Sequence, residues 1–471
     1  MAFNSFPFLC FFLIVFPLYW LINNNASTNI RNIFIIAISY FFYGWGEWRF
    51  LLLIIGSSAI NYLSGYFLYA NNNHNQRKKI LFFTILINLG ILFIFKYFNF
   101  FIESFIDLTN HLLPFNIIKI VLPIGISFYT FQAISYVVDA YNEKNNVSLN
   151  IISFFCFISF FPQLVAGPIE KSSHLIPQFN ERKYFNYNYC IQGFRLILWG
   201  LFKKIVIADN FGVLADSVFN TSSITNGTSI IIGSIFFGLQ IYGDFSGYSD
   251  IAIGLGRLLG FDLMRNFQTP YFSFSFYNFW RRWHISLSVW FKEYVYIPLG
   301  GNRNSAFRNY VNIFITFLLS GIWHGANSTF VIWGACHGIV LIIEKRINQK
   351  TYSFFYSFVV VFIITLFWIP FRANNWSDLS MITKALFNVE YYDVINISEI
   401  IHIFSFKRFV SLTIITLLFL IIEYNLKSID FNEWIESKHK ITRIAVYYVL
   451  LLLIVFIGNI SVKPNFIYFQ F

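Results

Sequence analysis

Charge is what this sequence is short of. Asp, Glu, Lys and Arg make up 12% of its 471 residues, where a soluble chain carries roughly 25%. It cannot clothe a water-facing surface of its size. Cysteine is scarce as well: Cys10, Cys156, Cys190 and Cys336 are scattered through apolar segments without paired spacing. That pattern excludes a disulfide framework and a thiolate metal site, and leaves buried, inert thiols. No Gly-x-Ser-x-Gly elbow, Walker-type loop or zinc-like His/Cys spacing occurs. The halves of the chain show no self-similarity, which counts against a transporter or channel built from two related bundles. The segment Met1 to Leu21 has no basic n-region and no small-residue cleavage site, so it reads as a retained first span.

What is there is apolar. Hydrophobic residues make up 57% and the mean hydropathy is +0.61. The chain is therefore expected to be an all-α, polytopic membrane protein, one transmembrane domain over residues 1–471. Apolar runs long enough to enter a bilayer are Phe6–Leu21, Ile33–Phe42, Phe50–Tyr69, Ile80–Phe101, Val121–Ala140, Ile151–Ala166 and Phe194–Ala208. They continue with Ile230–Tyr242, Ile251–Phe261, Tyr310–Gly321, Thr329–Ile343, Phe354–Ile369, Val410–Ile422 and Ile441–Ile457. Since a span needs roughly 20 residues, these predict about 10 to 13 helices that cross or re-enter the membrane.

The net charge of +11 does not call for nucleic acid, because Lys and Arg collect in cytoplasmic loops and set orientation. Arg77-Lys78-Lys79, the stretch Asp262–Arg308, the Lys345–Lys350 loop and the Lys427–Arg443 loop are the basic ones. All four face the cytoplasm if Ile151–Ala166 is re-entrant and Ile230–Phe261 is one broken span. Both termini then lie outside. The break is expected at Tyr242–Asp250, where Gly243, Asp244, Gly247 and Asp250 do not suit a lipid-facing helix. There Asp250 reads as an N-cap for the helix from Ile251, while Asp244 is either a cap or a ligand for substrate.

Chemistry concentrates in two places. His324 lies in Ser320-Gly321-Ile322-Trp323-His324-Gly325-Ala326-Asn327, between two membrane-length segments. An imidazole there finds no partners in lipid and so faces a cavity or a neighbouring helix. His284 lies in Trp280-Arg281-Arg282-Trp283-His284, which as one helix suits an interfacial position: tryptophans at headgroup depth and arginines on lipid phosphate or on a phosphorylated donor. These two histidines are the titratable groups with a neutral, base-competent form near neutral pH. Trp323 and Asn327 flank His324 as further substrate contacts. Gly300-Gly301-Asn302 after Pro298 reads as a turn with a weak phosphate-nest signal. His74, His111, His174, His402 and His439 read as solvated imidazoles, and His337 as a side chain packed among small residues.

Together these stretches resemble the membrane-bound O-acyltransferase family, in its bacterial alginate and peptidoglycan O-acetyltransferase-like branch. The resemblance is carried by Tyr40–Trp45, Leu122–Tyr136, Phe160–Glu170, Gly200–Asn210, Gly243–Tyr271, Asn278–Arg303, Leu318–Gly338 and Phe466–Phe471. It implies helices around a central tunnel, a catalytic His324, and His284 as the second tunnel histidine. It also implies acetyl-CoA as acyl-donor substrate rather than a bound cofactor, with Arg281 or Arg282 near its phosphates. The acceptor it implies is a hydroxyl of an extracytoplasmic polysaccharide, served through an exported acetyltransferase partner, in the inner membrane of a bacterium with lipid on all sides. A transporter for a small substrate and a scaffold for an export complex are the rivals. One geometric problem arises. Tyr310 to Trp323 spans about 21 Å of helix at roughly 1.5 Å per residue. A His284 at the inner face could therefore not reach the atom that His324 serves. Either the Trp280–Trp290 segment dips inward, or His284 contacts only the donor, which is the expectation adopted.

Overall fold

A computed structural model describes residues 1–109, 120–144, 147–220, 227–347, 354–388, 406–459 and 466–467. His111, His402 and residues 468–471 of the terminal motif lie outside them. Among the described residues every regular element is a helix. Five are long and apolar enough to cross a membrane: Phe6–Asn25, Phe50–Ala70, His74–Ile106, Gly227–Leu258 and Phe354–Arg372. Their outward faces carry exposed apolar residues such as Phe6, Leu13, Leu52, Phe82, Phe354 and Phe358. Such a surface fits lipid and not water. Cys10 is on it, so this thiol is exposed and not buried as expected.

The chain divides into two compact units: Met1–Phe194 with Ala252–Met264, and Arg195–Ile251 with Arg265–Phe471. In the first, polar side chains tie apolar helices together where water is absent. Asn61 and Asn88 exchange amide hydrogen bonds at 3.0 and 2.9 Å between the helices Phe50–Ala70 and His74–Leu92. Buried Arg31 donates to the carbonyls of Phe179 and Glu181 at 2.6 and 2.7 Å. Each bond is worth more here than at a wet surface, because the alternative is an unsatisfied group. The run Ile151–Ala166 forms a helix Ile151–Ser159 and a single turn Phe161–Leu164, too short to cross a bilayer.

His174 is not the solvated imidazole expected. Its Nδ1 lies 2.7 Å from Glu170 Oε2 and its Nε2 lies 3.7 Å from Asp262 Oδ2. The Asp262 carboxylate, with that of Glu170, pushes its pKa up from 6.5 to about 10. A pKa raised by folding contributes stability that is complete below the unfolded value and fades as pH climbs to the folded one. The thermal stability lost in His174→Gln should thus be greatest at or below about pH 6.5, the unfolded value, and vanish near pH 10. A pH series of unfolding temperatures checks this; a loss that grows toward alkaline pH would contradict it.

Gly227–Leu258 is one unbroken helix, so the break expected at Tyr242–Asp250 does not exist. The glycines serve close packing. A Cβ on Gly247 would sit 2.7 Å from the carbonyl oxygen of Gly200, and one on Gly243 would sit 2.9 Å from that of Lys203. Asp250 is accordingly inside the helix, not at its N-cap, and pairs with Lys203 at 2.6 Å.

Candidate active site

His324 is held by a helical hairpin in the second unit. Ser305 caps the first helix, Ala306–His324, by accepting from Arg308 N at 3.3 Å. Farther along, the amides of Asn309 and Asn312 both donate to the carbonyl of Gly301, at 2.9 and 3.0 Å. That carbonyl lies in a turn where Gly300 and Gly301 take φ of +107° and +56°, conformations that favour glycine. The second helix, Ser328–Ile347, crosses so closely that a Cβ on Gly321 would meet the Phe330 carbonyl at 2.3 Å, and one on Gly334 the Phe317 carbonyl at 2.3 Å. Gly325 is required by packing as well, since a Cβ there would overlap the Phe330 ring at 2.2 Å. The small residues around His324 therefore exist to bring two backbones together and to fix the imidazole at a helix end.

The ring of His324 is 4% exposed and is enclosed by aromatic rings. Centroids lie 5.0 Å away at Trp323, 4.9 Å at Trp333 and 5.2 Å at Phe371. His284 also packs on Trp323, 6.0 Å from its ring, and lies 4.6 Å from Phe245. Its Nδ1 is 3.1 Å from Asn266 Oδ1. The structure places both histidines against one indole.

A bend produces that placement. The stretch Trp280–Trp290 is not one interfacial helix but two short ones, Phe276–Trp280 and Ile285–Phe291, joined through His284 at φ +43°. Glu344 anchors the first by accepting from Phe276 N and Tyr277 N, each at 2.9 Å. Carboxylate and exposed N–H ends attract there. Trp280, Trp283 and Trp290 are buried; Trp280 and Trp283 pack in an aromatic core that includes Trp333, Trp368 and Phe279, and Trp290 packs on Phe291 and Tyr294. They are packing residues and not headgroup anchors.

Arg281 is exposed, with its guanidinium 4.9 Å above the Tyr277 ring. Arg282 is half-buried and donates to Thr269 Oγ1 at 3.4 Å. No carboxylate pairs with either among the described residues. Asn327 spends its side chain locally, donating to the Asn374 carbonyl at 2.5 Å and accepting from Thr329 N at 3.1 Å. Asp244 is buried against Lys204 at 2.7 Å and accepts from Ile467 N at 2.6 Å. The structure thus brings His324, Trp323 and His284 together, and leaves Asn327 and Asp244 in bonds with their own neighbours.

Reading the sequence missed the partners of Asp244. Lys204 also pairs with Asp209 at 2.8 Å, and the Tyr242 hydroxyl, whose ring lies under Lys203, donates to the buried carboxylate of Glu423. Lys203 and Lys204 lie in a π-helical segment, Phe202–Ala208. The signal was present: two lysines in one apolar run and acids in two others must find each other when no water is at hand.

A family model, that of the membrane-bound O-acyltransferases (MBOAT), matches residues 141–369, a span that contains both histidines. A protein of Pseudomonas aeruginosa named "probable alginate O-acetylase AlgI" is 40% identical over 82% of this chain and 75% of its own. The peptidoglycan O-acetyltransferase of Helicobacter pylori is 34% identical over 85% of this chain and 82% of its own. The teichoic acid D-alanyltransferase of Bacillus subtilis is 25% identical over 56% and 65% respectively. Matches of this length and identity, in a chain with helices long and apolar enough to cross a membrane, leave one conclusion. The chain belongs to the membrane-bound O-acyltransferase family, in its bacterial O-acetyltransferase-like branch.

Proposed function

We propose that this membrane protein moves an acetyl group from acetyl-CoA on the cytoplasmic side to a hydroxyl of an extracytoplasmic polysaccharide, with His324 as general base. The observation that carries the reading is the packing of both His324 and His284 against Trp323, buried among aromatic rings. A sugar hydroxyl is a poor nucleophile. A positioned base that takes its proton in the transition state contributes about 10²–10⁴-fold. His284, 6.0 Å from Trp323, orients the thioester end of the donor. Arg281 and Arg282 contact its phosphates, because guanidinium matches phosphate geometry.

The acetyl group crosses while its carrier stays inside, through a tunnel that passes His324. It leaves the membrane either directly on the glycan or through an exported acetyltransferase partner. The membrane is the inner membrane of a bacterium, and the basic loops face its cytoplasm. Relatives whose names specify alginate and peptidoglycan support a glycan acceptor. The test is chemical analysis of secreted polysaccharide and of purified wall from cells with and without the gene. Loss of ester-linked acetate from one of the two names the acceptor. Unchanged acetate in both would refute the reading.

A further inference from the structure

Two buried N–H groups on neighbouring rings, the first of which packs against His324, have no hydrogen-bond acceptor among the described residues. They are Trp333 Nε1 and His337 Nε2, on side chains only 0% and 1% exposed. The state of His337 follows from its other nitrogen. Trp280 Nε1 lies 3.3 Å from His337 Nδ1, and an indole N–H only donates. Nδ1 therefore accepts, and the proton of the neutral ring is on Nε2. Trp333 and His337 are one turn apart on the helix Ser328–Ile347, on the same face, with ring centroids 4.8 Å apart. Trp333 is also the ring 4.9 Å from His324. Around His337 stand Trp280, Phe317 and Phe367, none of which offers an acceptor.

Donors buried dry are rare, because each forfeits the water it left behind. Two on neighbouring rings, one of them against a base, call for an oxygen, and a carbonyl oxygen has two lone pairs. We infer that Trp333 Nε1 and His337 Nε2 hold the carbonyl oxygen of the acyl thioester and the negative charge it acquires during transfer. The inference rests on the function proposed above. The acceptor hydroxyl oxygen adds to the thioester carbonyl carbon while its proton passes to His324. The carbonyl π electrons move onto the oxygen held by the two N–H groups. When the C=O bond reforms, the C–S bond breaks and the thiolate takes the proton back from His324. Thioester and alcohol become ester and thiol, with no other reactant. The aromatic surroundings keep water out, where such donors count for most.

The test uses the purified full chain and [1-¹³C]acetyl-CoA, with isotope-edited infrared spectra of the bound carbonyl alongside steady-state transfer to the acetylated glycan. In the wild type the carbonyl band lies below its position in free acetyl-CoA. Trp333→Phe and His337→Phe keep an aromatic ring but lose a donor. Each should return the band toward the free position and lower kcat by about 10²–10³-fold, as loss of one oxyanion donor does, with KM for acetyl-CoA little changed. His337→Gln, which can still accept from Trp280 and donate, should restore much of both. A wild-type band at the free position, or wild-type kcat in both phenylalanine variants, overturns the inference. His324→Ala separates it from the reading it rests on: the base assignment is decided by that variant's rate, the donor pair by its carbonyl band, which should stay shifted.

Discussion

His324→Ala should lower kcat for acetyl transfer by about 10²–10⁴-fold, the contribution of a positioned general base, at unchanged amounts of protein in the membrane. The ring is at the end of the helix Ala306–His324, packed by Trp323, Trp333 and Phe371. Alanine leaves a hole there, and a hole alone could lower activity by loosening the aromatic shell. His324→Gln distinguishes the two effects. It fills most of the space and keeps a polar group, but it does not take up a proton near neutral pH. If glutamine is as inactive as alanine, proton transfer is what was lost. If glutamine retains most of the rate, the imidazole is packing, and the chemistry belongs elsewhere. The assay is release of free CoA thiol from acetyl-CoA, with the acetylated glycan as acceptor.

Lys204→Met should cost about 3–5 kcal/mol, the penalty for removing one partner of a buried ion pair. Lys204 lies between Asp244 at 2.7 Å and Asp209 at 2.8 Å, and methionine strands both carboxylates. The loss reaches the site through packing. Asp244 also holds Ile467 N, and Phe466 packs on Phe245, which packs on His284 at 4.6 Å. Combining Lys204→Met with Asp244→Asn and Asp209→Asn removes the stranded charges, so it should recover a large part of the stability. Thermal unfolding of the purified proteins in one detergent measures both. A single variant as stable as the wild type would show that the lysine is not the counterion of this pair.

Much of the site was legible because it sits where chemistry is costly. An imidazole between two apolar runs is conspicuous, and it marks His324 in the sequence. The approach of His284 was not legible. It depends on one residue at φ +43°, and no residue type announces that a histidine will adopt a left-handed bend. Tryptophans with arginines looked like an interfacial helix, since the same composition serves a headgroup belt and an aromatic core. Only the neighbours supplied by Trp333 and Trp368 decide between them. Gly243 and Gly247 were misread for a related reason. Glycine breaks a helix that faces lipid but permits a helix that touches another backbone, and the distinction lies in the partner, here Gly200 and Lys203. Trp333 went unremarked and His337 read only as a packed side chain, because an unsatisfied donor is visible only when its surroundings are known.

The claim on which the rest depends is that acetyl groups pass His324 from one aqueous compartment to the other. The most direct measurement reconstitutes the protein in sealed vesicles that enclose the glycan identified by acetate analysis, with radiolabelled acetyl-CoA supplied only outside. For molecules whose cytoplasmic face is outward, the account predicts label esterified to the enclosed glycan, no labelled CoA inside, and no label in vesicles carrying His324→Gln. Labelled CoA inside, or equal glycan labelling with His324→Gln, would contradict it.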